Sequence, residues 1–434
     1  MKANTNIPLR VLAISFYYPP ASNPRAIQVT RLLRQFELPV GLICADHPLT
    51  NDRSDPSLLA ESESHLQFVI RVPFTSPWCI RHASRLVDRF MTPFWEAMPD
   101  WTRHWTRPVI TSVEKRFSEL SDTVLVTFGS PMNDHLIGLG LKRRFNVPWV
   151  AHFSDPWIDN PFKHYNWFTK RANLKFEKEV ITEADRLLFT SQETVDLVMA
   201  KYDPRLRSKI FVIPHSYEPE QYSLAANNAG SKIIIRFLGD MYGPRTPKPL
   251  FVALSQIMRD NPAILEDVCF EFMGSIDLDL KAAGLYDLPP GLIVLRDTVP
   301  NKESLSLMSS ADGLMVIDAP AITSVFLPSK LIDYIGAGKP LLGITPRGTA
   351  WNLITELGGW LADPLETAQV EQTVKSFIQY LRGRKLEKDK VWGEKSVRER
   401  FVVKAVAKRF EQLLVEVHEA RVRANGATDL RKTS

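Results

Sequence analysis

Short apolar runs alternate with amphipathic stretches along most of the chain. In the first half these runs predict strands at 10–18, 40–45, 68–73, 123–129, 148–155, 186–191 and 210–216. Between several of them, apolar residues recur with helical spacing and predict helices at 26–36, 133–145 and 167–184. Because parallel strands need a crossover between them, this alternation predicts a parallel α/β sheet.

The pattern restarts after a polar stretch at 227–231, which we interpret as a linker. A second set of strands is predicted at 233–240, 269–274, 292–297, 313–318 and 340–345. We therefore expect two Rossmann-like, doubly wound α/β domains, 1–222 and 223–390, that face each other across a cleft. In such sheets ligands bind beyond the carboxyl ends of the strands.

The remaining segment, 391–434, is predicted to form C-terminal helices. Residues 391–422 are amphipathic, and we expect them to pack back on the N-terminal domain. Residues 424–434 are polar, which predicts a frayed tail.

Composition narrows the class of protein. The chain has 434 residues, of which 44% are hydrophobic and 24% charged, as expected for a globular chain of about two domains. Its net charge of +5 is too small to indicate nucleic-acid binding. The same charge suits an anionic substrate or a lipid surface.

Cysteine usage and the N-terminus indicate the compartment. The three cysteines, Cys44, Cys79 and Cys269, are too widely spaced for a disulfide framework or a zinc site. The N-terminal apolar run is short and leads into prolines, unlike a signal peptide. No apolar run reaches the roughly 18–20 residues that span a bilayer. We expect a cytoplasmic protein.

Residues 325–345, VFLPSKLIDYIGAGKPLLGIT, predict a helix followed at once by a buried strand. Pro328 suits a first helical turn, and the amides there, with Lys330, would attract an anion. Ser329 and Asp333 are four residues apart and share one helical face. Diphosphate at the helix start and ribose at Asp333 would suit a nucleotide. An ordinary capped helix is the alternative.

Residues 237–254, FLGDMYGPRTPKPLFVAL, form a similar arrangement. A strand ends at Gly239, a turn carries Arg245, and Lys248 stands where the next helix begins. Two cations at a helix start after a glycine loop describe a phosphate site. The alternative is a solvated basic loop.

Taken together, the motifs resemble those of GT-B-fold retaining glycosyltransferases, the nucleotide-sugar-dependent kind of glycosyltransferase family 4 that builds bacterial surface polysaccharides. The resemblance covers nearly the whole chain. It is carried by segments in the family's order and spacing: SFYYPPASNPRA (15–26), PWVAHFSDPW (148–157), VIPHSYE (212–218), FLGDMYGPRTPKPL (237–250) and LPSKLIDYIGAGKP (327–340).

The resemblance implies roles for the donor residues. Arg245 and Lys248 would stabilise the donor diphosphate without a metal, Ser329 and Lys330 would assist, and Asp333 would bind the ribose. Gly239 would let the backbone approach the donor. No cofactor is implied beyond the nucleotide diphosphate sugar as co-substrate. Front-face displacement without a protein nucleophile follows from the resemblance as well.

Residues of the first domain would serve the acceptor, a lipid-linked molecule or a glycan. Asp155 is the implied catalytic residue there. The others on the acceptor side are Asn23, Arg25, His135, His152 and Trp157.

The chain departs from the family pattern at the donor helix. Many relatives carry Glu-x7-Glu there, and the matching positions are Val325 and Asp333. The first carboxylate is missing, which puts the contact to the sugar hydroxyls and the identity of the donor in doubt. Ser154 also stands where relatives often have arginine.

Several acceptor-side residues have simpler explanations. Asp155 precedes a proline and could be a turn residue. His152 could be a hydrogen-bonded strand histidine, His135 a detail of helix capping, and Trp157 a core residue.

Residues 78–110 combine four tryptophans with several arginines. Arg81, Arg85 and Arg89 recur every four residues and would form one helical stripe. A basic stripe beside aromatic residues suits the inner face of the cytoplasmic membrane. A helix with a solvated basic face and a core-packed aromatic face is the alternative.

Two other functions compete with transfer. An epimerase on the same fold should carry several carboxylates and histidines, and the donor region has few of them. A non-catalytic scaffold that binds sugar nucleotides within a polysaccharide assembly complex would explain the missing glutamate at Val325.

Overall fold

The computed structural model describes most of the chain. The described residues are 9–46, 54–74, 99–120, 122–222, 230, 232–241, 243–276, 283–384 and 390–432. They form two compact units. The first comprises Met1–Pro214 with Val403–Ser434, and the second comprises His215–Val402.

The first unit is built on a seven-stranded parallel sheet with spatial order β3-β2-β1-β4-β5-β6-β7. The strands are β1 (Arg10–Ile14), β2 (Val40–Asp46), β3 (Phe68–Pro73), β4 (Thr123–Phe128), β5 (Trp149–Phe153), β6 (Arg186–Phe189) and β7 (Ile210–Val212). The helices are α1 (Pro24–Leu33), α2 (Leu59–Ser62), α3 (Thr106–Arg116), α4 (Asn133–Phe145), α5 (Trp167–Glu183) and α6 (Gln192–Met199). The order reverses between β1 and β4, the position where doubly wound sheets bind ligands.

The second unit repeats this plan with a six-stranded parallel sheet, ordered β10-β9-β8-β11-β13-β15. The strands are β8 (Ile233–Leu238), β9 (Val268–Met273), β10 (Ile293–Arg296), β11 (Gly313–Ile317), β13 (Leu341–Ile344) and β15 (Trp360–Ala362), and a separate pair joins β12 (Thr323–Ser324) to β14 (Arg347–Gly348). The helices are α7 (Lys248–Asp260), α8 (Asn301–Ser309), α9 (Ser329–Ala337), α10 (Thr349–Leu357), α11 (Thr367–Gly383) and α12 (Lys395–Glu399). The predicted parallel α/β architecture with two doubly wound sheets is confirmed.

A long final helix, α13 (Val403–Lys432), returns to the first unit. Strand residues alternate between the sheet faces, so Leu12 lies in one core and Val11 in the other. Phe410 and Leu414 of α13 complete the core that contains Val11. One face of the first sheet is therefore covered from the far end of the sequence.

The unit boundaries differ from the predicted ones. Residues 215–222 and 391–402 both belong to the second unit. Their backbones are tied there, since the Tyr217 amide donates to the Phe401 carbonyl (2.9 Å) and the Trp392 amide to the Gly338 carbonyl (2.8 Å).

Two predicted elements have other limits in the structure, and one strand was not predicted. The strand predicted at 210–216 ends at Val212, shortly before Pro214, which has no amide to donate to a ladder. Strand β15 is only three residues long, too short for its periodicity to be recognised. Helix α13 continues to Lys432, past the tail predicted to fray from 424, and no proline interrupts it.

Some predicted features lie outside the described residues. They are most of the linker at 227–231, the arginines at 81, 85 and 89, and Cys79. Within the described part of the chain, no helix is long and apolar enough to cross a bilayer. In the same residues, histidine, cysteine and acidic side chains do not gather in groups that could hold a metal ion.

Candidate functional site

The carboxyl edge of the second sheet depends on two glycines. Gly239 follows β8 with φ of 151°, and Gly274 follows β9 with φ of 139°. A Cβ atom on Gly274 would lie 2.2 Å from the Gly239 carbonyl oxygen. Asp240 fixes the same contact, because its Oδ1 accepts a hydrogen bond from the Ser275 amide (2.8 Å). Only glycine fits where these two loops meet.

Helix α9 begins beside this glycine contact. Pro328 occupies the N-cap position, and no side chain caps the helix, so Ser329 and Lys330 open the first turn. The Lys330 Nζ atom donates to Ser304 Oγ (3.2 Å), and its Cγ lies 4.0 Å from the position of a Cβ on Gly239. The structure thus brings Gly239, Ser329 and Lys330 together, with the positive end of a helix dipole.

Asp333 lies one turn further along α9 and is 8% exposed. Its Oδ1 accepts a hydrogen bond from the Tyr222 hydroxyl (3.0 Å). The next residue, Tyr334, bonds the Leu238 amide through its hydroxyl (2.8 Å) and ties the helix to the end of β8. The carboxylate predicted to bind ribose therefore already has a protein partner, which the sequence did not indicate.

Arg245 faces a carboxylate that sequence reasoning missed. Asp318 directly follows β11 and is 2% exposed, and its Oδ1 lies 3.6 Å from Arg245 Nη2. Its Oδ2 accepts from Ser324 Oγ (2.7 Å) and its Oδ1 from the Ala319 amide (2.8 Å). These bonds fix the carboxylate, which in turn orients the guanidinium. The sequence did contain a signal for this residue, since Asp318 is an acidic residue directly after the apolar run that forms β11.

Lys248 is exposed at the first position of α7. Its amide donates to Thr246 Oγ1 (3.2 Å), which closes the turn between Arg245 and the helix. Lys248 thus sits where sequence analysis expected it, at a helix start on the carboxyl side of β8.

The first unit buries its key cation. Arg25 is 7% exposed, with Nη2 3.0 Å from His152 Nδ1 and its guanidinium 5.4 Å from the Phe128 ring centroid. Because arginine only donates, His152 Nδ1 accepts, and a neutral ring carries its proton on Nε2. Burial lowers the pKa of Arg25 to about 10, opposed by Asp155 and Asp134, so Arg25 stays charged at neutral pH.

Asp155 is the acidic residue beside this group. Burial raises its pKa, and Arg25, then Lys163 and a hydrogen bond from Ser154 Oγ (3.2 Å), oppose that effect. His152 stacks on Phe410 of the final helix, with ring centroids 6.0 Å apart. The structure thus brings Arg25, His152 and Asp155 together at the carboxyl ends of β1 and β5.

His135 is completely buried in α4. Its Nδ1 lies 2.8 Å from Thr127 Oγ1, which also accepts from Trp149 Nε1 (2.9 Å). The Thr127 hydroxyl thus links the indole and imidazole rings, and His135 Nε2 faces Gly129. Burial, assisted by Arg25, lowers the pKa of His135 to about 3. These contacts support the turn after β4, and His135 does not cap its helix.

Asp134 directly precedes His135, and the sequence analysis did not identify it as a site residue. The carboxylate is fully buried, and its Oδ2 accepts from the Phe16 amide (2.8 Å). Burial raises its pKa well above the usual range, against that bond. Asp134 thus joins α4 to the end of β1, at the point where the strand order reverses.

Two other predicted acceptor residues have structural contacts. Asn23 caps α1 by accepting from the Ala26 amide (2.9 Å). Trp157 is fully buried and its Nε1 donates to Asn173 Oδ1 (2.8 Å). Capping and packing account for both contacts.

In the described part of 78–110, the aromatic residues pack in the core of the first unit. Trp105 is fully buried and donates to the Val72 carbonyl (3.1 Å), and Trp101 packs edge-on against Phe16. Arg103 and Arg107 are exposed. In residues 99–110 the structure therefore has a core-packed aromatic face and a solvated basic one.

Comparison with solved structures shows the fold. The chain is similar to HepE from Anabaena in complex with UDP and glucose, at 13% identity and a TM-score of 0.63, covering 94% of this chain and 100% of that one. Sucrose-phosphate synthase from Thermosynechococcus elongatus gives 14% identity and a TM-score of 0.65, covering 95% and 100%. The E. coli trehalose-6-phosphate structure bound with UDP-2-fluoro glucose has 10% identity to this chain and a TM-score of 0.61. The match covers 93% of this chain and 98% of that one.

At these identities the likeness concerns the fold alone, and the chain has the predicted GT-B fold. No protein-family model and no curated protein sequence matches the chain.

Proposed function

We propose that this protein is a glycosyltransferase that moves a sugar, with retention and without a metal, from a nucleotide diphosphate sugar to an acceptor hydroxyl. The second unit would hold the donor and the first the acceptor. The GT-B fold supports this proposal, as do solved structures of this fold in complex with UDP and glucose or with a UDP-sugar.

The observation that carries the proposal is the edge formed by Gly239, Lys330 and Arg245. A glycine-restricted backbone, the start of an uncapped nine-residue helix and a guanidinium held by a buried carboxylate lie at one end of one sheet. Backbone amides and cations in this arrangement suit a diphosphate.

The reaction needs charge stabilisation where the leaving group forms. The bond from sugar C1 to the diphosphate oxygen breaks, a bond from C1 to the acceptor oxygen forms, and the acceptor proton passes to the departing diphosphate. Arg245, Lys248 and Lys330 would stabilise the negative charge on that diphosphate. Asp318 would keep Arg245 in place, and Asp333 would bind the ribose.

On the acceptor side, Arg25, His152 and Asp155 would orient a sugar or phosphate group. We propose a lipid-linked or glycan acceptor in surface polysaccharide synthesis, used at the cytoplasmic face of the membrane. The predicted membrane contact through 78–110 remains a proposal for the part outside the described residues.

Calorimetric and thermal-shift binding of UDP, GDP, ADP and TDP tests the donor site. We expect one base to bind, and Arg245→Met to lower its affinity about tenfold or more, since charged hydrogen bonds are lost. If none of the four binds to the folded protein, the proposal is wrong.

Two controls separate ligand contact from damage to the fold. Asp318→Asn keeps the guanidinium but weakens the ion pair that orients it, so it should lower nucleotide affinity less than Arg245→Met does. An equal loss would assign the effect to the ion pair rather than to contact with the ligand. Arg382→Met removes another paired arginine, which bonds Asp267 at the start of β9, and should leave affinity unchanged.

A non-catalytic scaffold that binds nucleotide sugars is the second candidate. Val325 favours it, because this residue supplies no carboxylate and its carbonyl accepts from Thr349 Oγ1 (3.0 Å). Release of nucleoside diphosphate from a bound nucleotide sugar distinguishes the two. Tight binding without any release, even with glycolipid acceptors present, would support the scaffold.

A further inference from the structure

A surface of the first unit displays aromatic side chains to solvent. It is formed by residues 161–178, the loop after β5 and the first turns of α5, and we name it the 161–178 surface. Trp167 is 79% exposed, Phe168 45% and Leu174 41%. The Trp167 and Phe168 rings meet edge to face, with centroids 5.9 Å apart. Burying a tryptophan this exposed would release considerable apolar area from water.

The solvent-exposed charge on this surface is mainly positive. Residues 161–176 contain no aspartate or glutamate. Exposed cations surround the aromatic residues, namely Lys163, Lys170, Arg171 and Lys175. The first carboxylate along the helix, Glu177, is fully buried and pairs with Lys201 (2.9 Å). Glu179, one turn beyond Lys175, lies 3.9 Å from its ammonium group. Because the cations outnumber the accessible carboxylates here, an anionic partner would meet net attraction.

The 161–178 surface is firmly attached to the loop that carries Asp155. Trp157 Nε1 bonds Asn173 Oδ1 (2.8 Å), and the Ile158 amide bonds Glu177 (2.9 Å). The Tyr165 hydroxyl also donates to the Trp157 carbonyl (3.3 Å). The exposed aromatic residues thus occupy a fixed position at the carboxyl end of β5, the same sheet edge as Arg25 and His152.

We propose that the 161–178 surface docks on an anionic phospholipid bilayer. Tryptophan rings settle at the headgroup level of a membrane, and lysine and arginine add attraction to anionic lipids. Docking there brings the edge with Asp155 next to the headgroups, where a lipid-linked acceptor is reached without leaving the bilayer. The membrane contact itself does not depend on the proposed transfer reaction.

Co-sedimentation with vesicles tests the contact. Full-length protein is mixed with vesicles of phosphatidylcholine alone, and with vesicles that also contain phosphatidylglycerol. We expect binding to the anionic vesicles only, weakened by salt. Trp167→Ala with Phe168→Ala should lower the partition coefficient about tenfold, from the lost apolar burial. Arg171→Glu and Lys175→Glu should each lower it about fivefold or more.

Matched variants in the second unit serve as controls. Ile322 is 88% exposed and the Lys395 side chain 85%, so Ile322→Ala and Lys395→Glu remove similar groups elsewhere and should leave vesicle binding unchanged. Melting temperature and nucleotide affinity of every variant are measured in parallel. Unchanged values show that the fold and donor site are intact, so failure of this proposal and failure of the transferase proposal are distinguishable.

Three outcomes would overturn the inference. Wild-type protein could fail to bind anionic vesicles. It could bind them equally well without Trp167 and Phe168, which would assign the contact to another part of the chain. Light scattering could also show a dimer that the double substitution dissolves, which would make a second copy of the chain the partner.

Discussion

The carboxyl edges of the two sheets are built differently. Among the described residues, all nine glycines with positive φ lie in the second unit, including Gly239, Gly274 and Gly348. In the first unit the positive-φ residues that the structure describes are Ser130 and Asn146. The edge of the second sheet therefore depends on backbone conformations that only glycine adopts easily. The edge of the first sheet depends on contacts between side chains.

Their cations differ in the same way. Arg25 lies buried between His152 and Phe128, whereas Arg245 keeps 18% of its side chain exposed and Lys248 is exposed. A buried, preorganised arginine suits a neutral or singly charged group held by side chains. Accessible cations beside glycine loops suit a diphosphate, which needs close backbone approach. The difference favours different ligands for the two edges.

The largest expected effect is that of Gly274→Ala. A Cβ there needs an unfavourable φ and would lie 2.2 Å from the Gly239 oxygen, so unfolding free energy should fall by about 3 kcal/mol. Denaturant unfolding measures this, and nucleotide affinity should fall too. Gly383→Ala, where a Cβ would meet nothing within 4 Å, is the control. Equal stability of the two variants would remove the backbone argument for the second edge.

His135→Asn tests whether the first edge is sealed from water. Because the pKa of His135 is lowered to about 3, the unfolded chain takes up a proton below about pH 6.5 and the folded one does not. This residue's contribution is thus present at pH 7 and lost as pH falls. Between pH 7 and pH 5, wild type should lose roughly 2 kcal/mol more unfolding free energy than the variant.

Thr127→Val separates that titration from packing. It removes the hydroxyl beside His135 Nδ1 but keeps the imidazole, so it should destabilise the protein and retain the pH dependence. Parallel stability curves for wild type and His135→Asn would show that the imidazole is accessible to solvent.

Tyr222→Phe tests the buried side of the donor helix. Loss of its hydrogen bond to Asp333 should lower unfolding free energy by about 1 kcal/mol. Nucleotide affinity, measured by calorimetry, should be retained in this variant and lowered in Asp333→Asn. If both variants lose binding equally, nucleotide binding depends on the hydrogen bond between Tyr222 and Asp333.

An equally small effect is expected for Asn23→Ala. Loss of the α1 cap should lower unfolding free energy by about 1 kcal/mol and leave nucleotide affinity unchanged. Ser22→Ala, one residue before the cap, is the control. A normal stability with reduced transfer would instead give Asn23 a role in acceptor binding.

The sequence predicted the sheets well because buried parallel strands are continuous apolar runs, such as Val40–Asp46 and Val268–Met273. Elements whose limits depend on tertiary contacts were harder to predict. Residues 391–402 join the second unit through backbone hydrogen bonds, which the local pattern of apolar and polar residues does not predict.

The site residues that could be predicted are those whose residue type suits phosphate binding and which stand at the end of a predicted strand or the start of a predicted helix. Gly239 and Lys330 stand at strand and helix ends that one sheet edge brings together. Asp318 and Tyr222 were missed because each meets its partner from a distant part of the chain. The complete burial of His135 was also hidden, since a sequence gives residue type and spacing but not depth.

The return of α13 to the first unit has a consequence for synthesis on the ribosome. The sheet face with Val11, Ala13 and Val126 is completed by Val406, Phe410 and Leu414, which are made only after the whole second unit. At about 5–20 residues per second, that apolar face waits roughly ten seconds or longer for its last layer. The first half of the chain is thus synthesised early but completes its core late. Until α13 packs, its exposed apolar sheet face is the part of the chain that chaperones would most need to bind.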